Sequence, residues 1–184
     1  MGCRQASHAF PTGAPFTMKQ LWCIIIGLAL LSSACAKEQS VRIQCELSVA
    51  KSLQAEQPAE LVFTLTNAGD DVVQVLNWQT PFEGIKAPMF TVERDGLEVE
   101  YRGPMLKRGS PRKEDYLMLK PGERRQVKIN LSDAWSVDAP GDYTVTYSAH
   151  LFDVIAGPTS APRGLDDLQE VTPNCNAVAF TRVR

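Results

Sequence analysis

Histidine is scarce in this sequence, and a strongly basic character is absent. The chain of 184 residues contains two histidines, and 19 Lys and Arg residues face 21 Asp and Glu residues, for a net charge of -2. A nucleic-acid-binding protein needs a basic face, so this balance argues against a nucleic-acid partner. Apolar residues make up 44% of the chain and charged residues 22%, which is the composition of an ordinary globular protein and not of a disordered or collagenous one.

The motifs of the common enzyme classes are also missing. His150 is the single histidine after the N-terminal apolar run, so no His-Glu-x-x-His motif or other site of several imidazoles is present. The sequence has no Cys-x-x-Cys pair, no G-x-S-x-G elbow and no glycine-rich phosphate loop. Ser148, His150 and Asp153 are the residue types of a hydrolase triad, but their spacing along a predicted strand does not converge three side chains. We therefore expect a protein that is not an enzyme, with no catalytic residue, no metal ligand and no cofactor.

Long hydrophobic runs are absent, and the longest apolar segment is residues 21–31. This run is too short for the roughly 20 apolar residues of a membrane-spanning helix but suits the apolar region of a signal peptide. Lys19 precedes the run, and Met18 before it would make a better signal start than Met1. We interpret residues 1–34 as a signal peptide and residues 1–17 as a start-site extension.

The small residues that follow the apolar run end in a cysteine. The sequence Ser-Ser-Ala-Cys at residues 32–35 resembles the lipobox of bacterial lipoproteins, in which the cysteine is lipidated and becomes the first residue. The alternative is a plain A-x-A cleavage site at residues 34–36. The first interpretation predicts lipidation of Cys35, a lipid-anchored linker at residues 35–40, and a protein on the periplasmic side of the cell envelope. Since no Asp follows Cys35, we expect outer-membrane attachment.

Two cysteines, Cys45 and Cys175, remain beyond the predicted anchor. In an oxidising envelope compartment they predict one disulfide that joins the first strand region to the last. A bridge that closes a loop of ~130 residues would stabilise the fold by about 4 to 5 kcal/mol in the chain-entropy model. The alternative is a pair of free buried thiols.

Runs of alternating apolar and polar residues recur along the rest of the chain. They are rich in Val, Ile, Phe, Tyr and Thr and are separated by Gly, Pro, Asn and Asp, which is typical of strands and turns. The pattern predicts an all-β domain over residues 41–184, an antiparallel immunoglobulin-like β-sandwich of seven to nine strands. Residues 156–173 contain several Gly and Pro residues and predict a long loop. The predicted strands cover residues 41–50, 59–67, 71–78, 89–94, 97–102, 115–119, 125–131, 142–151 and 177–182.

Two predicted loops, residues 77–88 and 101–115, combine apolar and basic side chains. Such a combination is typical of a partner-binding surface. The alternative is a solvated loop whose charges pair with each other. The candidate contact residues are Trp78, Phe82, Tyr101, Met105, Leu106, Lys107 and Arg108.

Several blocks of the chain together resemble a known family. They include NAGDDVVQVLNWQTPFEG at residues 67–84 and FTVERDG at residues 90–96, followed by shorter blocks at 101–104, 114–116, 119–123 and 127–132. In this order they resemble the N-terminal, propeptide-like β-sandwich region of deuterolysin-like (aspzincin) metallopeptidases. The resemblance extends over about residues 41–150, and residues 174–183 resemble the closing strand of that region.

The zinc motif of that family lies in a downstream catalytic domain, and no position of this sequence corresponds to it. The resemblance therefore implies a free-standing, non-catalytic module that inhibits an aspzincin-type protease or assists its folding. The alternative is an immunoglobulin-like structural or assembly lipoprotein of the envelope with no protease partner.

Overall fold

The computed structural model describes residues 41–157 and 161–184. The predicted signal peptide, Cys35 and the linker at residues 35–40 lie outside the described residues and stay predictions. In the described part the protein is all-β, with thirteen strands, four short 3₁₀ helices and no α-helix. Accordingly, none of the described segments is a helix long and apolar enough to span a bilayer.

Two sheets form a sandwich. The first sheet has the order β1 (Ile43–Val49), β3 (Glu60–Asn67), β8 (Arg124–Asn130). The second has the order β2 (Ser52–Leu53), β13 (Val178–Arg182), β9 (Gly141–Tyr147), β5 (Phe90–Arg94), β6 (Leu97–Glu98). Pairing within both sheets is antiparallel except between β2 and β13, which are parallel. The predicted sandwich is thus confirmed.

The core lies between these sheets because their strands alternate apolar and polar side chains. Leu61, Phe63 and Leu65 of β3 are completely buried, as is Val145 of β9. The Phe63 ring lies 5.3 Å from that of Tyr147, centroid to centroid, which joins the two sheets. Burial of a large apolar side chain contributes roughly 1.5 to 3 kcal/mol, so this alternation is the main source of the sandwich's stability.

The predicted disulfide is present between Cys45 of β1 and Cys175. The neighbouring residue, Asn176, pairs with the outer edge of β1 through its side chain. Its Oδ1 accepts a hydrogen bond from the Leu47 N–H at 2.8 Å, and its Nδ2 donates to the Leu47 carbonyl at 3.0 Å. The amide therefore satisfies backbone groups that an edge strand otherwise leaves open.

A third, smaller sheet has the order β11 (Val154–Ala156), β4 (Val73–Leu76), β7 (Tyr116–Leu119). We call it the end sheet. Its three strands come from three connections: β3 to β5, β6 to β8, and β9 to β13. The strand registers bring these connections to one end of the sandwich. Thr66 near the end of β3 pairs with Arg124 at the start of β8, and Tyr147 at the end of β9 pairs with Phe90 at the start of β5. Beside it, β10 (Leu151–Phe152) pairs with β12 (Glu170–Val171).

Each of the nine predicted strand runs overlaps a strand, but the described part of the chain has thirteen strands and not the predicted seven to nine. The structure shortens the predicted run 97–102, since β6 ends at Glu98 and Tyr101 instead forms an isolated bridge with Trp135. The predicted loop 156–173 is not wholly irregular: it contains a 3₁₀ helix at Leu165–Asp167 and strand β12, while residues 158–160 lie outside the described part. The strands outside every predicted run, β2, β11 and β12, have only two or three residues, which is too short to show a period.

Candidate functional site

The two loops predicted to bind a partner lie side by side. The Leu106 N–H donates to the Lys86 carbonyl at 2.9 Å, and the Asn77 N–H donates to the Asp115 carbonyl at 2.8 Å. The second loop is also attached to the sandwich, because the Arg102 N–H donates to the Ala134 carbonyl at 2.8 Å. Backbone hydrogen bonds therefore fix residues 101–115 against residues 77–88.

Trp78 lies at the centre of this arrangement and is only 6% exposed. It follows β4, whose four residues are all buried in the middle of the end sheet. The guanidinium carbon of Arg108 lies 5.1 Å from the Trp78 ring centroid, in a cation–π contact. Arg108 is also paired with the carboxylate of Glu83, and both side chains are largely buried. The ion pair and the ring together hold Arg108 in place.

Phe82 and Tyr101 also support the loops from beneath. Phe82 is half-buried, and its ring meets the core residue Phe63 edge to face at 5.7 Å. The Tyr101 hydroxyl donates to the Pro104 carbonyl at 2.6 Å, and desolvation by burial raises the pKa of Tyr101. The turn needs a glycine at position 103, because a Cβ there would lie 2.6 Å from the Tyr101 hydroxyl oxygen.

The remaining candidate residues point outward. Met105 is 76% exposed, Leu106 is 53% exposed, and Lys107 is also exposed. We call these three residues the 105–107 ridge. Of the seven predicted contact residues, the structure therefore presents these three to solvent, while Arg108 is ion-paired and Trp78, Phe82 and Tyr101 support the loop.

A small pocket of ≈ 50 Å³ opens beside the ridge. Its apolar walls include Trp78, Leu106 and Phe152, and its basic walls are Lys86 and Arg108. No pattern in the sequence predicts this pocket, because it joins residues of β10 to two loops that precede β10 by many residues.

Ser148, His150 and Asp153 do not form a catalytic group. The Nδ1 atom of His150 lies 3.0 Å from the Thr172 hydroxyl, whereas the Asp153 carboxylate is bound to Tyr116 and Arg163. As for metal ions, residues 41–157 and 161–184 contain no cluster of three His, Cys, Asp or Glu side chains that could hold one.

Asp153 belongs to a buried cluster that sequence reasoning missed. Its side chain is completely buried, and its backbone has a positive φ of 53°. The Tyr116 hydroxyl donates to Oδ2 at 2.6 Å, and the Arg163 Nη1 lies 3.3 Å from Oδ1. Desolvation by burial and the hydrogen bond to Asp153 raise the pKa of Tyr116 to about 12. The cluster ties the connection between β9 and β13 to the end sheet.

Comparison with known proteins supports the expected fold class. Residues 46–158, more than half of the chain, match a family model described as an immunoglobulin-like domain. An extracellular protease of Aeromonas hydrophila is 42% identical over 84 residues, which are 46% of this chain and 24% of that protein. The match thus spans about a quarter of the protease's length.

Solved structures show more distant similarity. A CARDB domain from Pyrococcus furiosus aligns with a TM-score of 0.35 and 11% identity, over 78% of this chain and 94% of that domain. A β-glucosidase from Erythrobacter marinus aligns with a TM-score of 0.32 and 16% identity, over 78% of this chain and 16% of the glucosidase. The specific resemblance to aspzincin propeptide regions stays a prediction.

Proposed function

Because the chain belongs to the immunoglobulin-like domain family, we propose that it is a non-catalytic, exported binding module whose partner is a protease. The similarity to part of an extracellular protease supports this proposal. In that relative, the matching segment is part of the same chain as the rest of the protease, which is much longer. A separate protein similar to that segment can therefore bind the rest of a protease of this kind. In the deuterolysin-like family, the corresponding role would be inhibition or assisted folding of the protease.

The 105–107 ridge is the surface that would contact the protease. Adjacent large apolar side chains that are exposed together form the kind of surface that is typical of interaction sites. Leu106 also stands on a fixed support, because its backbone is hydrogen-bonded to Lys86 and the next-but-one residue, Arg108, is held by Glu83 and Trp78. The exposure of Met105 and Leu106 on this support is the observation on which the proposal depends.

The proposed module is anchored through a lipid on Cys35 at the periplasmic side of the outer membrane. The lipobox-like residues 32–35 support this part of the proposal. Mass spectrometry of the mature protein tests it directly. We expect an acylated Cys35 in the wild type and no lipid in the Cys35→Ser variant.

Binding to a protease is tested with the oxidised protein from residue 36 onward. We would titrate it by calorimetry against the Aeromonas hydrophila extracellular protease from which the matching segment has been removed, while following peptide cleavage. We expect binding, with a loss of about 2 kcal/mol or more, roughly 30-fold in affinity, for Leu106→Asp. Leu165→Asp is a matched control, because Leu165 is also an exposed leucine, at 47%, but lies in a different connection.

The readouts separate the possible roles. Loss of cleavage at near-stoichiometric protein indicates an inhibitor, and binding with faster recovery of the unfolded protease indicates a folding partner. If neither binding nor an effect on cleavage occurs, the protease partner is wrong. An envelope lipoprotein with another partner then remains, and a pull-down would be needed to find it.

A further inference from the structure

We infer that the pocket beside the 105–107 ridge receives an acidic side chain of the partner, and that the ridge contacts an apolar neighbour of that side chain. The inference rests on the proposed function, because it specifies the chemistry of the same binding surface. The occupant is therefore an acidic–apolar peptide segment of a protein.

The size of the pocket limits what can enter. Its volume of ≈ 50 Å³ has room for the end of one side chain and not for a whole aromatic ring or a second chain segment. The walls formed by Trp78, Leu106 and Phe152 exclude water on several sides. A charged group of the partner would therefore interact with its counter-charge at a lower effective dielectric constant than in open solvent.

The charge around the pocket selects a carboxylate. Arg108 is neutralised by Glu83. Among residues 41–157 and 161–184, by contrast, no carboxylate oxygen lies within 4.0 Å of the amines of Lys86 or Lys107. The backbone hydrogen bond between Leu106 and Lys86 places Lys86 beside Leu106, and Lys107 follows Leu106 in the chain. Two positive charges without an internal ion pair therefore neighbour an exposed apolar residue, and Lys86 lines the pocket.

This distribution differs from that on the outer face of the first sheet. There, Lys128 lies 3.4 Å from Glu60 and Arg124 lies 3.1 Å from Glu46, so the exposed basic groups have acidic neighbours within the chain. At the ridge no acidic neighbour within the described chain faces the two lysines, so an acidic group of a partner can approach them without competition from an internal ion pair. Charge complementarity of this kind selects partners and speeds association.

The first experiment uses peptides, so that it does not depend on a protease. Two synthetic hexapeptides would be identical except at one position between two leucines, which is glutamate in one peptide and lysine in the other. Binding to the oxidised protein is followed through the NMR signal of the Trp78 indole N–H. We expect a saturable shift with the glutamate peptide and none with the lysine peptide.

Charge reversal at Lys86 and Lys107 tests whether these lysines bind the acidic residue of the peptide. We expect the variant Lys86→Glu with Lys107→Glu to bind the glutamate peptide at least about tenfold more weakly and to gain affinity for the lysine peptide. The matched control is Lys51→Glu with Lys120→Glu, which makes the same change in net charge at exposed positions away from the ridge. This control should bind like the wild type.

The outcomes distinguish this inference from the proposed function. The inference of an acidic occupant is overturned if the two peptides bind equally or if neither shifts the Trp78 signal. It is also overturned if the variant of Lys86 and Lys107 binds the glutamate peptide as tightly as the wild type does. If the protease binds and this variant binds it equally well, the protease partner stands and the inference is wrong. If the glutamate peptide binds and the protease does not, the acidic occupant stands and the protease partner is wrong. A dimer in sedimentation that Leu106→Asp dissociates would make a second copy of the chain the occupant.

Discussion

The sandwich and the end sheet differ in how much of their buried contact is apolar and how much is polar. In the sandwich, the core between the sheets is built from apolar side chains such as Phe63 and Val145, and a disulfide joins β1 to the segment before β13. In the end sheet, polar side chains are buried among the apolar ones: Gln74 donates to the Gly157 carbonyl at 2.5 Å, and Asp153 binds Tyr116 and Arg163.

The difference follows from size. A three-stranded sheet of short strands buries little apolar area, so apolar packing alone selects weakly among possible arrangements of its connections. A buried polar group that lacks a hydrogen-bond partner destabilises the fold, because its hydration is not replaced. It therefore strongly favours the one arrangement in which its partner is present. The end sheet thus depends more on buried hydrogen bonds and charge than the sandwich, where Arg182 is also buried but most buried side chains are apolar.

Removal of the disulfide should have the largest effect, and it should act on the whole domain. The bridge joins residues 130 apart. In the chain-entropy model, Cys45→Ala with Cys175→Ala should lower the free energy of unfolding by about 5 kcal/mol. Urea unfolding of the variant and of the wild type measures this, and the wild type with reductant is the control. A loss below about 1 kcal/mol would contradict a dominant entropic role of the bridge.

Breaking the buried cluster should have a smaller and more local effect. Arg163→Met leaves the completely buried Asp153 carboxylate without its charged partner. Because Arg163 itself is partly exposed, we expect a loss of about 2 to 3 kcal/mol. Amide hydrogen exchange should accelerate at Val75 in the end sheet and stay slow at Val145 in the sandwich.

A second variant separates the charge from the packing. Arg163→Met combined with Asp153→Asn removes both charges and should recover part of the lost stability. Equal acceleration of exchange in the end sheet and the sandwich would show that the two regions unfold as one unit, against the comparison above.

Tyr116→Phe should have the smallest effect, about 1 kcal/mol at neutral pH, since one hydrogen bond to Asp153 is lost. Folding raises the pKa of Tyr116 from 10.0 to about 12, so the protonated hydroxyl is favoured in the folded state. Its contribution is complete below pH 10 and is lost as the pH rises towards 12. The difference in unfolding free energy between wild type and variant should therefore shrink over this range. Titration of a tyrosine at 116 near pH 10 would contradict this.

The sandwich could be predicted from the sequence because its strands are long enough to show their period. Residues 59–67 alternate visibly, and they form β3. The buried cluster could not be predicted, since Tyr116 comes from a different connection than Asp153 and Arg163 and no local pattern marks their meeting. The pocket beside the ridge escaped prediction for the same reason.

The partner-binding role of the two loops stays a prediction, and the structure shows only where their side chains lie. Residue types identified the loops that carry the exposed Met105 and Leu106. They did not reveal that Trp78 is buried under Arg108 and that Phe82 packs on Phe63, because the same aromatic residues suit an interface and a core.

The pairing of Asn176 with Leu47 has a consequence for self-association. An open strand edge is a template on which other chains can add as further strands, and a single amide blocks that template at the middle of β1. Since Asn176 is adjacent to Cys175, the block is held in place by the disulfide. Without the disulfide this hold on Asn176 is lost, so we expect the reduced chain to expose the edge of β1 and to self-associate more readily than the oxidised chain.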